Sequence, residues 1–331
     1  MAMKWVLGVD GGNSKTHALI CDENGHVVGF AQADGSNHET IGFAGTERVL
    51  ERVAQDALAR SGVSAPIDCG FWCLAGADVD TDFTQLSAIA ARIAAAGTNV
   101  IKNDIAAAMG AGFSRGWGVA VICGAGFSSG GIAPDGRELQ FPSLGPATGD
   151  WGGGGDIGLE VLRLAHRSYD GRGEPSVLSV QVPHALDIKS LEHIPQQLRA
   201  EAIDWDVVRD KLPPLLFAAA AEGDRVAIDL ILRIGAEVGT TALAIIQRLA
   251  MESLDVELVL SGSLLRSAPA LLIDTIDTVV REVVAGVRII QPEFPPVVGA
   301  IFQSLRAIGI EVDERIRSNV RATLVPELTG I

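Results

Sequence analysis

The run Asp10-Gly11-Gly12-Asn13-Ser14-Lys15-Thr16 joins one apolar segment to another and carries residue types suited to holding a phosphate. Glycines in a turn let backbone N–H groups come close to an anion, and short amide and hydroxyl side chains add donors. Lys15 adds positive charge. Taken alone, Gly-Gly-Asn is an ordinary hairpin turn. A second glycine turn, Gly124-Ala125-Gly126, follows another apolar segment and weighs against that plain reading. Two such turns from duplicated halves would hold a polyphosphate between them. Neither is a P-loop, because Gly-x-x-x-x-Gly-Lys-Ser/Thr is absent. The first turn also leads into a strand, not into the helix of a dinucleotide fingerprint.

Asp104 is the leading candidate for chemistry on a hydroxyl group. It follows a short strand expected over Asn99 to Lys102 and opens an Ala-rich helix, which puts a carboxylate at the carboxyl end of a strand. A hydroxyl is a poor nucleophile at neutral pH. A carboxylate that accepts its proton and aligns it with a phosphorus supplies what phosphoryl transfer needs. Asp is also a common helix N-cap, and one residue can serve both ends. Asp10 reads either as a strand-end turn residue or as an acid beside the phosphate turn. Gly262-Ser263 reads as a strand-to-helix turn, and a helix start there would favour a phosphate.

These residues need a scaffold, and hydrophobic periodicity supplies one. Lys4 to Asp10, Thr16 to Cys21 and Val27 to Ala33 read as strands, with Glu23-Asn24-Gly25 as a hairpin turn. Thr46 to Arg60 reads as a helix with Val49, Leu50, Val53 and Leu58 near helical spacing and Thr46 as N-cap. Strand Ile67 to Ala75, helix Asp82 to Ala96, the strand at Asn99 and the helix at Asp104 follow. Three strands and then β–α units predict a mixed sheet with an antiparallel hairpin edge. The pattern then restarts with strands over Gly118 to Cys123, Ser128 to Ala133 and Arg137 to Phe141, the last two joined by Pro134-Asp135-Gly136. Helices are expected over Ile157 to Ser168, Trp205 to Ala221 and Arg225 to Met251. Strand Val256 to Leu260, a helix after Ser263, a strand near Val287 to Gln291 and a final helix over Pro296 to Ile308 complete the pattern. The repetition marks an internal duplication. Its boundary near Phe113 to Trp117 gives domains 1–114 and 115–331, the last helix being able to pack back on the first domain. Gly171 to Pro175 reads as an exposed connector.

Length and charge narrow the function classes. A chain of 331 residues fits two domains. A formal charge of −15 argues against a nucleic-acid backbone or an anionic membrane surface, but not against a nucleotide held by backbone amides and a metal ion. Cys21, Cys69, Cys73 and Cys123 lie in strand-like stretches without metal-ligand spacing and read as buried thiols. A start that enters a strand at once shows no signal peptide, and no apolar run is long enough to cross a bilayer. A reducing cytoplasm is the expected setting.

The order GVDGGNSKT, an IKND helix start, VICGAGF and LSGSLLRS resembles the actin/hexokinase/Hsp70 ATPase superfamily. Within it the chain is most similar to the N-acetylglucosamine kinase-like branch, the BadF/BadG/BcrA/BcrD ATPase family, over nearly its whole length. The resemblance implies an α/β fold of two duplicated ribonuclease H-like (actin-like ATPase) domains, each with a mixed five-stranded sheet, and an interdomain cleft. It implies an ATP-dependent carbohydrate kinase using Mg²⁺, acting on an amino sugar such as N-acetylglucosamine, and a homodimer. On that basis Asp10 would orient Mg²⁺, and Gly11, Gly12, Asn13, Ser14, Lys15 and Thr16 would cradle the phosphates. Gly124, Ala125 and Gly126 would form the opposing clamp, and Gly262, Ser263 and Arg266 would meet the adenosine. Asp104 would be the general base. Asn37, Gly76, Asp78, Phe127, Ser128 and Asp150 would border the sugar.

The departures fall on the sugar side. The family's Gly-Thr-Gly-Ser becomes Gly124-Ala125-Gly126-Phe127, and its Gly-Trp-Gly becomes Ser143-Leu144-Gly145. Its Asp-Glu-Gly-Ser becomes Asp150-Trp151-Gly152-Gly153, so one acceptor for sugar hydroxyls is lost and the acceptor specificity stays open. Trp151 or Phe127 would stack on a sugar face or fill the core. Two other classes are weighed. A partner-driving ATPase like the activators of radical dehydratases would need cysteines in an exposed loop for an iron–sulfur cluster. A sugar-responsive regulator would need a DNA-binding helix-turn-helix, and none precedes Lys4.

Overall fold

The computed structural model describes residues 3–329. It opens with strands Trp5–Gly11 (β1), Lys15–Asp22 (β2) and Val27–Asp34 (β3), then helix His38–Ser61 (α1). Strand Ile67–Leu74 (β4), helix Asp80–Ile93 (α2), strand Ala96–Asn103 (β5) and helix Ile105–Gly112 (α3) follow. The strand pattern repeats as Gly118–Cys123 (β6), Phe127–Ile132 (β7) and Glu138–Gln140 (β8). Five helices come next: Gly154–Tyr169 (α4), Leu178–Ala185 (α5), Ile194–Arg199 (α6), Trp205–Ala221 (α7) and Arg225–Arg248 (α8). Glu257–Ser261 (β9), Ser263–Arg266 (α9), Ala270–Arg281 (α10) and Arg288–Ile290 (β10) lead to Pro296–Ala307 (α11), Glu314–Thr323 (α12) and Pro326–Thr329 (α13).

The two sheets have the same topology. The first runs β3-β2-β1-β4-β5 and the second β8-β7-β6-β9-β10, so each element of the first has a counterpart in the second. In the first, β1 pairs antiparallel with β2 and parallel with β4, and β4 pairs parallel with β5. The mixed sheet with a hairpin edge is therefore present, and the duplication read from the glycine turns is a duplication of structure.

The chain divides into two compact units. One holds residues 1–120, 134–136 and 290–331, and the other holds 121–133 and 137–289. In the first unit, one sheet face buries Leu7, Val9, Trp72 and Leu74 against Leu50, Val53 and Ala57 of α1 and Leu86 and Ile89 of α2. The other face buries Val6, Leu19, Cys21 and Cys69 under Val298, Ile301, Phe302 and Leu305 of α11, with Ile316 and Val320 of α12 beside them. Approach of α11 is close at Gly8, where a Cβ would lie 2.6 Å from the Ile301 nitrogen. Among the described residues, no helix is long and apolar enough to cross a membrane.

Several boundaries differ from the sequence pattern. Helix α1 begins at His38, not at Thr46, and bends at Gly42 (φ 69°). Asn37 is its N-cap, while Thr46 is buried within the helix and donates its hydroxyl to the Ser36 carbonyl. Pro296–Ala307 is not the final helix. Asp313 caps α12 by accepting from the Ile316 amide, but only Ile316 and Val320 give that helix an apolar stripe. Short α5, with Pro183 inside it, and α6 likewise lack a readable period.

Candidate active site

In the first unit, β1, β3, β4 and β5 point the same way, and the loops at their carboxyl ends are tied together. The turn after β1 closes with the Gly12 amide donating to Lys15 O (2.9 Å). Its carbonyls hold two other loops, Gly11 O accepting from Ala75 N (2.7 Å) and Gly12 O from Ser36 N (3.0 Å). Asn13, Ser14 and Lys15 are exposed, whereas Thr16 is fully buried and donates to Asp34 O (2.8 Å). Asn37 is buried. Its Oδ1 accepts from Glu39 N as a cap, and its amide nitrogen donates to Asn13 Oδ1 (2.7 Å). Gly76, at φ 81°, lies against Asn37 Oδ1 and His38 Cε1, which leaves no room for a side chain. His38 stacks on Phe43 and places Nε2 3.3 Å from Asp82 Oδ1, and the other Asp82 oxygen caps the amides of Asp78 and Val79.

Asp104 stands at the end of β5, and the helix cap there belongs to its neighbour. Asn103 is buried, its Oδ1 accepts from Ile105 N (3.0 Å), and its amide nitrogen donates to Asp78 Oδ1 (3.1 Å). Asp104 makes no side-chain capping bond to α3. Its half-buried carboxylate is thus not committed to the helix end. Asp10, also half-buried, is the last residue but one of β1 and lies in register with Cys73. Burial pushes the Cys73 thiol well up, and the nearby charges of Asp10 and Asp104 push it further. That thiol is an inert space-filler beside Asp10 on the sheet.

The second unit gathers its own glycine-rich surface. The turn after β6 closes with Gly124 N donating to Gly126 O (3.0 Å). The start of α4 packs on this turn: Gly154 N donates to Gly124 O (2.8 Å), and a Cβ on Gly153 would sit 2.6 Å from Gly126 C. Gly262, at φ 95°, is pressed on the Cys123 backbone, so Ser263 and Arg266, both exposed on α9, belong to the same end of the sheet. Phe127 is buried under Gly152, and Ser128 is half-buried beside it. Asp150 accepts from Thr148 Oγ1 (2.6 Å). Trp151 carries Arg233 over its ring, the guanidinium carbon 4.4 Å from the centroid. Asp156 reaches back to the amides of Gly152 and Gly153 (3.3 and 3.2 Å), and burial raises its carboxyl above the usual range.

The positioning residues Asn103, Asp82 and Asp156 escape the sequence reading. Each has a local signal in retrospect: an Asn before a helix, and an Asp three residues into one. For Mg²⁺ the fit is of a modest kind. Among the described residues no cluster of three His, Cys, Asp or Glu side chains could hold a metal ion. Magnesium is commonly held by one or two carboxylates together with substrate phosphates, and half-buried Asp10 beside the Gly11-Gly12 turn suits that habit.

The chain is 27% identical over 267 residues to the N-acetylmuramic acid/N-acetylglucosamine kinase of Clostridium acetobutylicum, covering 80% of this chain and 87% of that one. It is 26% identical over 239 residues to the N-acetyl-D-glucosamine kinase of Dictyostelium discoideum, covering 68% and 74%. A crystal structure from Chromobacterium violaceum, assigned as an N-acetylglucosamine kinase, superposes with a TM-score of 0.69 at 21% identity, over 92% of this chain and 99% of that one. A ROK family glucokinase from Streptomyces griseus, solved with glucose and AMPPNP, gives 0.54 at 17% identity over 92% and 100%. These likenesses establish the fold. The family model described as BadF/BadG/BcrA/BcrD ATPase matches residues 7–303, and the chain belongs to that family.

Proposed function

We propose that this chain is an ATP-dependent kinase that phosphorylates a hydroxyl of an amino sugar, N-acetylglucosamine or a glucosamine-like relative, with Asp104 as general base. The observation that carries the proposal is the division of work at the end of β5. Asn103 caps α3, and Asp104, the next residue, makes no side-chain capping bond to that helix and stands at the carboxyl end of β5. The relatives named as kinases of N-acetylglucosamine and N-acetylmuramic acid support the substrate class.

In this mechanism the phosphates lie against the Gly11-Gly12-Asn13 turn and the Gly124-Ala125-Gly126 turn, with Ser14 and Lys15 extending the first and buried Thr16 bracing it through Asp34. Gly262, Ser263 and Arg266 take the adenosine. Asn37, Gly76, Asp78, Phe127, Ser128 and Asp150 border the sugar. The acceptor hydroxyl passes its proton to a carboxylate oxygen of Asp104 while its own oxygen attacks the γ-phosphorus. The bond to the β–γ bridging oxygen breaks, and ADP leaves. Asp10 would hold Mg²⁺, which neutralises phosphate charge when bound. A partner-driving ATPase with a cysteine-held cluster is disfavoured, because Cys21, Cys69, Cys73 and Cys123 are all buried.

ADP release measured over a panel of amino sugars tests the reading. Release should depend on the sugar, and Asp104→Asn should lower kcat by about 10²–10⁴-fold. Sugar-independent hydrolysis that survives the substitution would overturn it.

A further inference from the structure

Three neighbouring strands of the first unit bring opposite charges to one place. The parallel register sets Asp10 of β1 beside Cys73 of β4, and Cys73 beside Lys102 of β5. Residues in one register row point to the same sheet face, with strands about 4.8 Å apart. Asp10 and Lys102 are thus two strand spacings apart, with the small side chain of Cys73 between them. The flexible four-carbon stem of a lysine is long enough to cross that thiol. Its surroundings on this face are apolar: Phe71, Ala106, Ala107 and Ala300 pack with Cys73. Asp104 lies two residues beyond Lys102. The Cys73 thiol, raised first by burial, is pushed up further by Asp10 and Asp104 and drawn down by Lys102, so all three charges converge on it.

Two carboxylates that converge beside an apolar wall repel one another and invite a shared divalent cation. A cation shared by both would occupy the oxygens Asp104 needs for a proton. An ammonium anchored on β5 offers a compact charge with three donors that cannot diffuse away. We infer that Lys102 is the fixed counter-cation of the Asp10–Asp104 pair, a positioning residue that keeps a divalent ion off Asp104 and leaves that carboxylate to the acceptor hydroxyl. The inference rests on the roles given above to Asp10 and Asp104.

The test uses the full chain with Lys102→Met and Lys102→Arg. Calorimetric titration with Mn²⁺, without nucleotide, should show Lys102→Met binding the ion at least about tenfold more tightly than wild type, because the uncompensated carboxylates attract it. With the best amino sugar, kcat should fall by about tenfold or more in Lys102→Met while the sugar KM stays within about threefold, since the base and not the sugar contacts is disturbed. Lys102→Arg should recover most of kcat and gain no Mn²⁺ site. Wild-type Mn²⁺ affinity in Lys102→Met, or equal impairment of the Arg and Met variants, would overturn the inference. Should Lys102→Met fail to fold, Lys102→Gln decides by the same two readouts. A wild-type protein that phosphorylates no amino sugar would sink the kinase reading, and the Mn²⁺ titration would still decide the role of Lys102.

Discussion

Asn103 does two things with one side chain: it caps α3 through Oδ1 and braces Asp78 through its amide nitrogen. Asn103→Ala should destabilise the protein by about 1 kcal/mol through the lost cap alone. It should also lower kcat, because Asp104 is the next residue. Asn103→Asp separates the two tasks. It keeps an acceptor for Ile105 N but sets a carboxylate against Asp78, so stability should suffer less from capping while the 76–78 loop is pushed away. Denaturant midpoints and sugar kinetics on both variants check this. Equal behaviour of the two would show that the bond to Asp78 is idle. A second residue ties stability to pH. His17 is buried on β2, and burial lowers its pKa, the hydrogen bond to Gln32 opposing and Lys15 adding. Below the ordinary imidazole pKa of about 6.5 the unfolded chain binds a proton that the folded chain refuses, so stability falls as pH drops through that window. The urea midpoint should therefore drop more between pH 7.5 and 5.5 in wild type than in His17→Gln.

Helix α11 lies so close to β1 that the sheet has a glycine where they cross. Gly8→Ala would set a Cβ 2.6 Å from the Ile301 nitrogen and 3.0 Å from the Ala300 carbonyl carbon, so backbone must move. Overpacking of this kind costs about 1–3 kcal/mol. Gly97→Ala on β5 meets nothing nearer than 3.6 Å and should stay within about 0.5 kcal/mol of wild type. Thermal melts of the pair read the difference, and equal melts would mean that α11 can yield. At this scale much was legible from residue order. The strands leading into Gly11-Gly12 and Gly124-Gly126 are short apolar runs ended by glycine turns, so their hairpins and the duplication follow from pattern. Positions set by tertiary contact were not. Thr46 has the chemistry of a cap, yet its hydroxyl is taken by Ser36, and the real cap, Asn37, hides behind the bend at Gly42. In the proposed site, the glycine turns and Asp104 are the residues that the sequence offers. The bond from Asn103 to Asp78 and the contact of Asp82 with His38 are visible only once loops from separate strands meet, whereas Asp156 braces its own loop.

The order of the chain has a consequence for the molecule. Residues 290–331 belong to the same compact unit as residues 1–120, although the whole of the other unit is threaded between them. The first sheet therefore acquires its second face only when the last helices are in place. Five side chains of α11, Val297, Val298, Ile301, Phe302 and Leu305, are essentially fully buried. At about 1.5–3 kcal/mol for each buried side chain, their contribution is of the same order as the 5–15 kcal/mol net stability of a typical protein. Ending the chain at Ile289 would leave Val6, Leu19, Cys21 and Cys69 without their cover. Such a chain should lose the first unit as a cooperative structure, although β1 to β5 and both carboxylates, Asp10 and Asp104, are still present in sequence. Trp72, fully buried in that unit, reports the outcome. Its emission should shift to the red and become accessible to a soluble quencher in the shortened chain, while Trp151 and Trp205 of the second unit change little. Native-like protection of Trp72 in the shortened chain would mean that α1 and α2 alone sustain the sheet, and that the returning segment is dispensable for it.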